Sequence, residues 1–464
     1  MEKEGHKISV KEILNVTGGE LVTGNEQCLF QNFERDSRNV KEGDMYLGIK
    51  GETVNGSIYF EEAFKNGAQG VILQEIQITE DQKEKYKNKV VIIVKDTIKA
   101  MQQLATYKRN MYNIPVVAIT GSVGKTSTKD MVANVMNQKF NTLKTEGNYN
   151  NHIGVPLTIF RLKNEEALTI EMGMNHFGEI STLTKIAKPT VCVITNIGTA
   201  HIGNLGSREN ILKAKLEILE GMEKDGTIVI NNDNDLLHKW YLENKDKYKI
   251  ITYGIENESD YMAEKIESKE DGSTYNLKGT NEKIIVPVGG NHFVLNSLCG
   301  VAVGSIFEIP IEKIKYGIQS FELTKKRMDV TKTKENITII NDCYNANYDS
   351  MKAALEYLGK IENKRKVAVL GDMLELGEYS KELHEKVGKE VIKNKIDILI
   401  VVGKEAKYIA NIAKEEMNKE NVIECNSNEE AANVLNKIKK ENDCILFKAS
   451  NGMKFGEIIE KINS

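Results

Sequence analysis

The sequence predicts an α/β chain built in three blocks, and three observations carry that reading. Unbroken β-branched strands alternate with amphipathic helices, a glycine loop joins one such strand to a helix, and the chain runs to 464 residues. Apolar runs such as Val191-Cys192-Val193-Ile194, Thr227-Ile228-Val229-Ile230, Lys366-Val367-Ala368-Val369-Leu370 and Cys444-Ile445-Leu446-Phe447 show no polar alternation. Strands of that kind are buried on both faces, as in parallel sheets flanked by helices, whose ligands sit at the carboxyl ends of the strands. A single hydrophobic core does not normally grow to this length, so two to four domains are expected.

The first block, residues 1–108, holds the strands Gly70-Val71-Ile72-Leu73 and Val90-Val91-Ile92-Ile93-Val94 and closes with a helix starting near Thr97. The second, residues 109–322, opens with the strand before the glycine loop. It continues through helical stretches at Asn291 to Phe307 and Ile311 to Ser320. The third, residues 323–464, has strands near 337–341, 366–370, 396–402 and 444–448, the rhythm of a small open α/β sheet. No internal repeat or low-complexity tract interrupts them.

The glycine loop is the most specific motif. The strand Val116-Val117-Ala118-Ile119-Thr120 ends in Gly121-Ser122-Val123-Gly124-Lys125-Thr126-Ser127. Glycines at 121 and 124 let the backbone approach phosphate oxygens, and the amides of the loop and the positive end of the helix face the anion. Lys125 can reach the β and γ phosphates, and the Thr126 hydroxyl can hold Mg²⁺. The first glycine of the common pattern is replaced by Ile119, leaving a shortened Gly-x-x-Gly-Lys-Thr loop.

Composition narrows the partners. The 63 Lys and Arg against 67 Asp and Glu give a net charge of -4, which argues against a general nucleic-acid or anionic-membrane surface and for a small-molecule partner. The charged start Met1-Glu2-Lys3-Glu4 lacks the apolar stretch of a signal peptide, and no run approaches the ~18 apolar residues of a membrane span, so a cytoplasmic chain is expected. Six scattered cysteines without C-x-x-C spacing are expected as reduced, mostly buried thiols.

Several further residues stand at strand ends. Glu171 follows Ala167-Leu168-Thr169-Ile170 and precedes Met172-Gly173-Met174, a context of packed backbone near a ligand, which favours a metal role over a solvated carboxylate. His201 lies on the loop after Val191 to Ile194 and is a candidate for Mg²⁺ or phosphate. Lys215 sits four residues after Ile211 and three before Ile218, on the apolar side of a helix. Snorkelling to water is the ordinary outcome; the sharper one is a buried neutral amine able to react with CO₂. Asp342 and Asn345 at the end of Ile337 to Asn341, and Arg327 just inside the third block, are candidates for nucleotide contact. Asn394-Lys395-Ile396-Asp397 copies the guanine-selecting tetrapeptide of GTPases but ends a helix instead of a strand, and is read as coincidence. The histidines show no zinc spacing.

These residues resemble the Mur ligases of bacterial cell-wall synthesis along nearly the whole chain. The resemblance is carried by the loop Thr120 to Thr126, by Gly147-Asn148-Tyr149-Asn150-Asn151-His152-Ile153-Gly154-Val155-Pro156 and by Glu171 to Met174. It is also carried by Asn196 to His201 with Gly206 to Glu209, Ala214 to Ile218, Asp342 to Asn347, and Leu370 to Gly377. It implies an N-terminal domain for the UDP end of the substrate, a central P-loop ATPase and a C-terminal Rossmann-like domain, acting as a monomer. The implied reaction joins D-alanyl-D-alanine to UDP-N-acetylmuramoyl-tripeptide through an acyl phosphate, with ATP and Mg²⁺ and no nucleophilic side chain. The nearest alternative is another amide ligase of the superfamily, one that adds the third residue of the peptide or a folylpolyglutamate synthase; a nucleotide-dependent scaffold without catalysis is a more distant one.

By resemblance, Gly121, Ser122, Val123, Gly124, Lys125, Thr126 and Ser127 hold ATP phosphates, and Thr126, Glu171 and His201 serve magnesium. Lys215 matches a carbamylated lysine and, with Lys125 and His201, completes the catalytic set. Asn296 looks like an adenine contact, Arg327 a phosphate contact, Asp342 a ribose contact and Asn345 a further nucleotide contact. Asp36, Ser37 and Arg38 look like a uridine-nucleotide motif; the run Asn148 to Asn151 is expected to flank the metal and the acyl phosphate without a choice among its asparagines, with Asn148 and Asn151 assigned to substrate, and Lys448 and Ser450 are assigned to substrate in the third domain. The chain departs from the family at Phe293, where Asn is common, at Tyr348, where Pro is usual, and at Asn55-Gly56-Ser57, where Asp-Gly-His is typical. It departs again at Lys448-Ala449-Ser450-Asn451, where Lys-Gly-Ser-Arg is usual and an arginine charge is lost.

Overall fold

The computed structural model describes residues 5–269, 272–323 and 326–463. The chain is α/β throughout, with its strands in mostly parallel sheets. It divides into two compact units: Met1–Thr120, Lys139–Val193 and Leu216–Thr227 form the first, and Gly121–Gln138, Ile194–Lys215 and Ile228–Ser464 the second.

In the first unit one sheet runs in the order Glu20–Thr23, Val90–Ile93, Gly70–Leu73, Met45–Leu47, Phe33–Glu34, parallel except at its first edge. Its core packs Tyr46, Val71, Leu73 and Val91 against Phe60, Ala63 and Phe64 of the covering helix. A second parallel set orders Thr142–Lys144, Ala167–Glu171 and Val116–Thr120. The helix Thr97–Asn110 starts where Asp96 accepts the Lys99 amide at 2.9 Å, and it buries Ala100, Met101, Leu104 and Ala105. Its last turn is unusual, because two cations are buried there. Lys108 donates to the carbonyls of Phe160 (2.6 Å) and Gln31 (3.1 Å), and Arg109 donates to those of Tyr112 (2.6 Å) and Ala187 (2.8 Å). Such bonds satisfy charges that burial would otherwise penalise heavily.

In the second unit the helix Lys125–Met136 is crossed by two others. Helix Asn291–Ile306 buries Phe293, Val294 and the run Asn296 to Gly304, and so has no polar face. Helix Ile311–Gln319 approaches so closely at Gly317 that a Cβ there would lie 2.8 Å from Val135 Cα. The strand Lys249–Gly254 pairs parallel with Tyr261–Lys269, which continues antiparallel through Gly272–Leu277 and Lys283–Val286. This antiparallel ribbon is absent from the sequence reading. Its mixed burial and charged residues give no continuous apolar run.

The last sheet of this unit is ordered Asp329–Lys332, Thr338–Asn341, Cys444–Lys448, Lys366–Gly371, Ile398–Val402, Val422–Cys425. It is parallel except for the antiparallel edge pair at Asp329–Lys332, and is the Rossmann-like sheet expected of the third block. Val367, Val369, Ile400, Ile445 and Phe447 are fully buried in its core. Each contributes about 1.5–3 kcal/mol of burial. The segment Asn394 to Asp397 caps helix Ser380–Lys393 and leads into the strand Ile398–Val402, as the rejection of a GTPase motif requires. Among the described residues no disulfide forms, and five of the six cysteines are buried.

Candidate active site

The loop between strand Val116–Thr120 and helix Lys125–Met136 is shaped by two glycines. Gly121 has φ +149°, and a Cβ on it would sit 1.9 Å from Thr195 Oγ1; Gly124 has φ +80° and forms the N-cap of helix Lys125–Met136. Lys125 curls back over the loop, its ammonium donating to the carbonyls of Gly121 (2.9 Å) and Ser122 (3.4 Å). Asn196 ties the loop down: its side-chain oxygen accepts the Ser122 and Val123 amides at 3.1 and 2.9 Å. A cradle of closely apposed backbone with a lysine across its mouth suits an anion. Thr126 is buried behind it at the start of the helix. Asn296 lies against this helix, accepting from Thr128 Oγ1 at 3.0 Å, with its side-chain oxygen 3.3 Å from where a Gly124 Cβ would stand.

His201 has φ +64°, a conformation costly for a non-glycine residue, and its Nδ1 lies 3.0 Å from Glu375 Oε2. Strain of this kind persists only where the surroundings impose it. Lys215 is fully buried, which helical spacing left open between burial and snorkelling to water. Burial, and then the nearby Lys125 ammonium, lower its pKa well below that of an ordinary lysine.

Farther along the second unit, the Arg327 guanidinium stacks 3.8 Å from the Tyr344 ring centroid, and its Nε is buried with no hydrogen-bond partner among the described residues. Asp342 accepts the Met328 amide at 3.2 Å and forms a short ion pair with Lys448, whose ammonium also reaches the Asn345 carbonyl at 3.2 Å. Lys448 and Asp342, assigned separately to substrate and ribose from sequence, are thus brought together. Ser450 is buried and accepts the Leu374 amide at 2.9 Å, fixing the loop after strand Lys366–Gly371.

In the first unit, Glu171 is almost wholly buried at the end of its strand. Its amide donates to Thr145 Oγ1 at 3.0 Å, and its carboxylate accepts from Asn150 Nδ2 at 2.7 Å. Asn150 was not singled out from sequence. Asn151 instead caps helix Gly154–Phe160 by accepting the amides of Gly154 (2.9 Å) and Ile153 (3.2 Å), and the Asn148 carbonyl accepts the Asn150 amide at 2.7 Å.

The same unit contains a cavity of about 800 Å³ lined by Asp36, Ser37, Arg38, Tyr59, Tyr149 and Arg161, among others. Arg38 grips Asp36 with two bonds of 2.6 and 2.8 Å, which hold the Asp36 pKa down at about 2. Ser37 donates to Glu62 at 2.6 Å. The uridine-nucleotide candidates therefore share one cavity.

Three family sequence models match the chain: "Mur ligase family, catalytic domain" over residues 31–109, "Mur ligase middle domain" over 119–304 and "Mur ligase, glutamate ligase domain" over 326–451. The UDP-N-acetylmuramoyl-tripeptide--D-alanyl-D-alanine ligase of Bacillus subtilis is 35% identical, over 98% of both chains. The Escherichia coli protein of the same name is 31% identical over 87% of both. Among solved structures, MurF from Acinetobacter baumannii superposes with a TM-score of 0.88 at 28% identity, covering 99% of each chain. MurF ligase from Thermotoga maritima in complex with ADP gives 0.81 at 28% identity, covering 93% of this chain and 97% of that one. With this likeness from end to end, the chain belongs to the Mur ligase family.

Proposed function

We propose that the chain is an ATP-dependent ligase that joins D-alanyl-D-alanine to UDP-N-acetylmuramoyl-tripeptide in the synthesis of peptidoglycan precursors, in the cytoplasm. The observation that carries this reading is the 35% identity, over 98% of both chains, to the Bacillus subtilis ligase of that name. Three functional domains are assigned, 1–108 for the UDP end of the substrate, 109–322 for ATP and 323–464 for the acceptor. The spans of the three matching family models support these boundaries.

A carboxylate is a poor acyl donor until its oxygen becomes part of a better leaving group. The tripeptide's terminal carboxylate oxygen attacks the γ-phosphorus, the bond to ADP breaks, and an acyl phosphate forms. The amine of D-alanyl-D-alanine then attacks the acyl carbon, loses a proton and expels phosphate, leaving an amide. The chain's part is electrostatic and positional: Lys125 and the loop amides receive phosphate oxygens, and Arg327 Nε is a buried donor suited to another. Asn296, Asp342 and Asn345 are assigned to the nucleoside. Asp36, Ser37 and Arg38 are assigned to the uridine nucleotide, and Asn148, Asn151, Lys448 and Ser450 to the remaining substrate.

Thr126, Glu171 and His201 are the residues assigned to magnesium, which when bound neutralises phosphate charge. The donors fit: a hydroxyl and a carboxylate are hard oxygen ligands, and a carboxylate beside His201 Nδ1 orients the ring as carboxylates orient ligand imidazoles. Among the described residues no cluster of three or more His, Cys, Asp or Glu could hold a metal by itself. Phosphate oxygens and water would supply the remaining ligands, as is usual for magnesium. A buried Lys215 of lowered pKa suits carbamylation by CO₂, which replaces a cation with a carboxylate.

The test is acceptor specificity. The protein, ATP and UDP-muramoyl-tripeptide are incubated with D-alanyl-D-alanine or with free amino acids, and phosphate release is followed. Release with the dipeptide is expected; release with a free amino acid alone would sink the assignment.

A further inference from the structure

We infer that Asp349 is a positioning residue for the ligation, holding the loop that carries His201 against the phosphate loop; the inference rests on the reaction proposed above. Asp349 stands in the first turn of helix Tyr348–Gly359, which is capped by Asn347 through a reciprocal pair of bonds with Ser350. One oxygen of its carboxylate, Oδ2, accepts both the Thr199 amide (2.7 Å) and the Thr199 hydroxyl (2.8 Å). The fit is close. A Cβ on Gly198 would lie 2.3 Å from the same oxygen, so a side chain at 198 and a carboxylate at 349 exclude one another.

The loop is held on its other side by the phosphate cradle. The Gly198 amide donates to Ser122 Oγ at 2.9 Å, and Asn196 accepts the Ser122 and Val123 amides. Three consecutive residues, 197–199, are therefore fixed by polar contacts: Arg208 donates to the Ile197 carbonyl at 2.8 Å, Ser122 takes 198 and Asp349 takes 199. Two residues on, His201 is kept at positive φ and beside Glu375. The carboxylate that anchors Thr199 comes from the third block, and the hydroxyl that anchors Gly198 comes from the phosphate loop. Seating of the helix Tyr348–Gly359 is thus coupled to the geometry of the nucleotide cradle through a loop of four residues. Asp349 touches no reacting atom and acts through Thr199.

A charge-assisted pair of this kind is worth a factor that kinetics can read. Asp349→Ala, Asp349→Asn, Thr199→Val and the Asp349→Ala/Thr199→Val double variant are compared for kcat, for KM of the UDP substrate, for Kd of ADP by calorimetry and for Tm. Asp349→Ala is expected to lower kcat about tenfold or more and to weaken ADP about threefold or more, with KM for the UDP substrate within about twofold. Asp349→Asn keeps an acceptor oxygen and is expected to recover part of both losses. Thr199→Val is expected to cost about threefold or more in kcat alone and less than about twofold on top of Asp349→Ala. Wild-type kcat or ADP affinity in Asp349→Ala, additive effects in the double variant, or losses that simply follow a fall in Tm would each overturn the inference. If the wild-type protein does not ligate the dipeptide, the proposed reaction fails, and the ADP affinities alone then decide for or against Asp349.

Discussion

Replacing Gly121 by alanine tests the phosphate cradle at its tightest point. The new Cβ would lie 1.9 Å from Thr195 Oγ1 and 3.1 Å from Thr195 Cβ, at a φ that side chains rarely adopt. Thr195 cannot simply yield, because its hydroxyl donates to the Val123 carbonyl at 2.7 Å and so helps to shape the same loop. Overpacking costs about 1–3 kcal/mol and loss of the hydroxyl's bond about 1 kcal/mol, or about 2–4 kcal/mol together. If the loop reaches its binding shape only against that cost, ADP affinity falls by a factor of about 30 or more, at about 1.4 kcal/mol per tenfold. Calorimetric titration of ADP into wild type and Gly121→Ala measures this, with Tm as the check on folding. Thr195→Ala in the Gly121→Ala background removes the nearest clashing atom and should recover about tenfold of the lost affinity. A Gly121→Ala protein that binds ADP within about threefold of wild type would refute the close approach, and with it the account of why glycine stands there.

Two further outcomes are expected. Asn150→Ala removes the amide that holds the buried Glu171 carboxylate, and a hydrogen bond to a charged group is worth about 1.5–3 kcal/mol, so kcat/KM should fall at least about tenfold with a raised magnesium requirement; unchanged magnesium dependence would count against the role of Glu171. Lys108 has its pKa lowered from 10.5 to about 8, first by burial and then by Lys163. The unfolded chain therefore binds more protons between those pH values, and stability should rise with pH across that window. The shift corresponds to about 3 kcal/mol, so the difference in Tm between wild type and Lys108→Met should move in favour of wild type from pH 7.5 to pH 10; a constant difference would contradict it.

The glycine loop was legible in sequence because its signature is local: two glycines, a lysine and a threonine at a strand-to-helix turn need no distant partner to be recognised. Whether the Lys215 ammonium is buried or reaches water is decided by the packing around the helix, but the apolar side on which the residue lies was legible for a similar reason, since helical spacing places it with Ile211 and Ile218. The partner of Glu171 was not. Residues 148, 150 and 151 are all asparagine, with identical chemistry, and only the turn before helix Gly154–Phe160 decides that 150 faces the carboxylate while 151 caps the helix. Contacts such as Asp349 with Thr199, 150 residues apart, and His201 with Glu375, 174 apart, have no signature in a single chain. The ribbon Tyr261–Lys269 to Lys283–Val286 escaped because its burial alternates irregularly across a bulge at Glu264 and Glu267.

The buried Nε of Arg327 has a consequence for the lifetime of the protein rather than its chemistry. A guanidinium nitrogen without a hydrogen-bond partner among the described residues penalises the folded state, and a nucleotide phosphate bound there, as proposed above, would offset that penalty. Folding and ligand occupancy are then linked by mass action. Nucleotide at about 100 times its Kd would add about 2.7 kcal/mol to the stability of the chain. Resistance to heat is therefore expected to rise with nucleotide concentration, measured as Tm against added ADP.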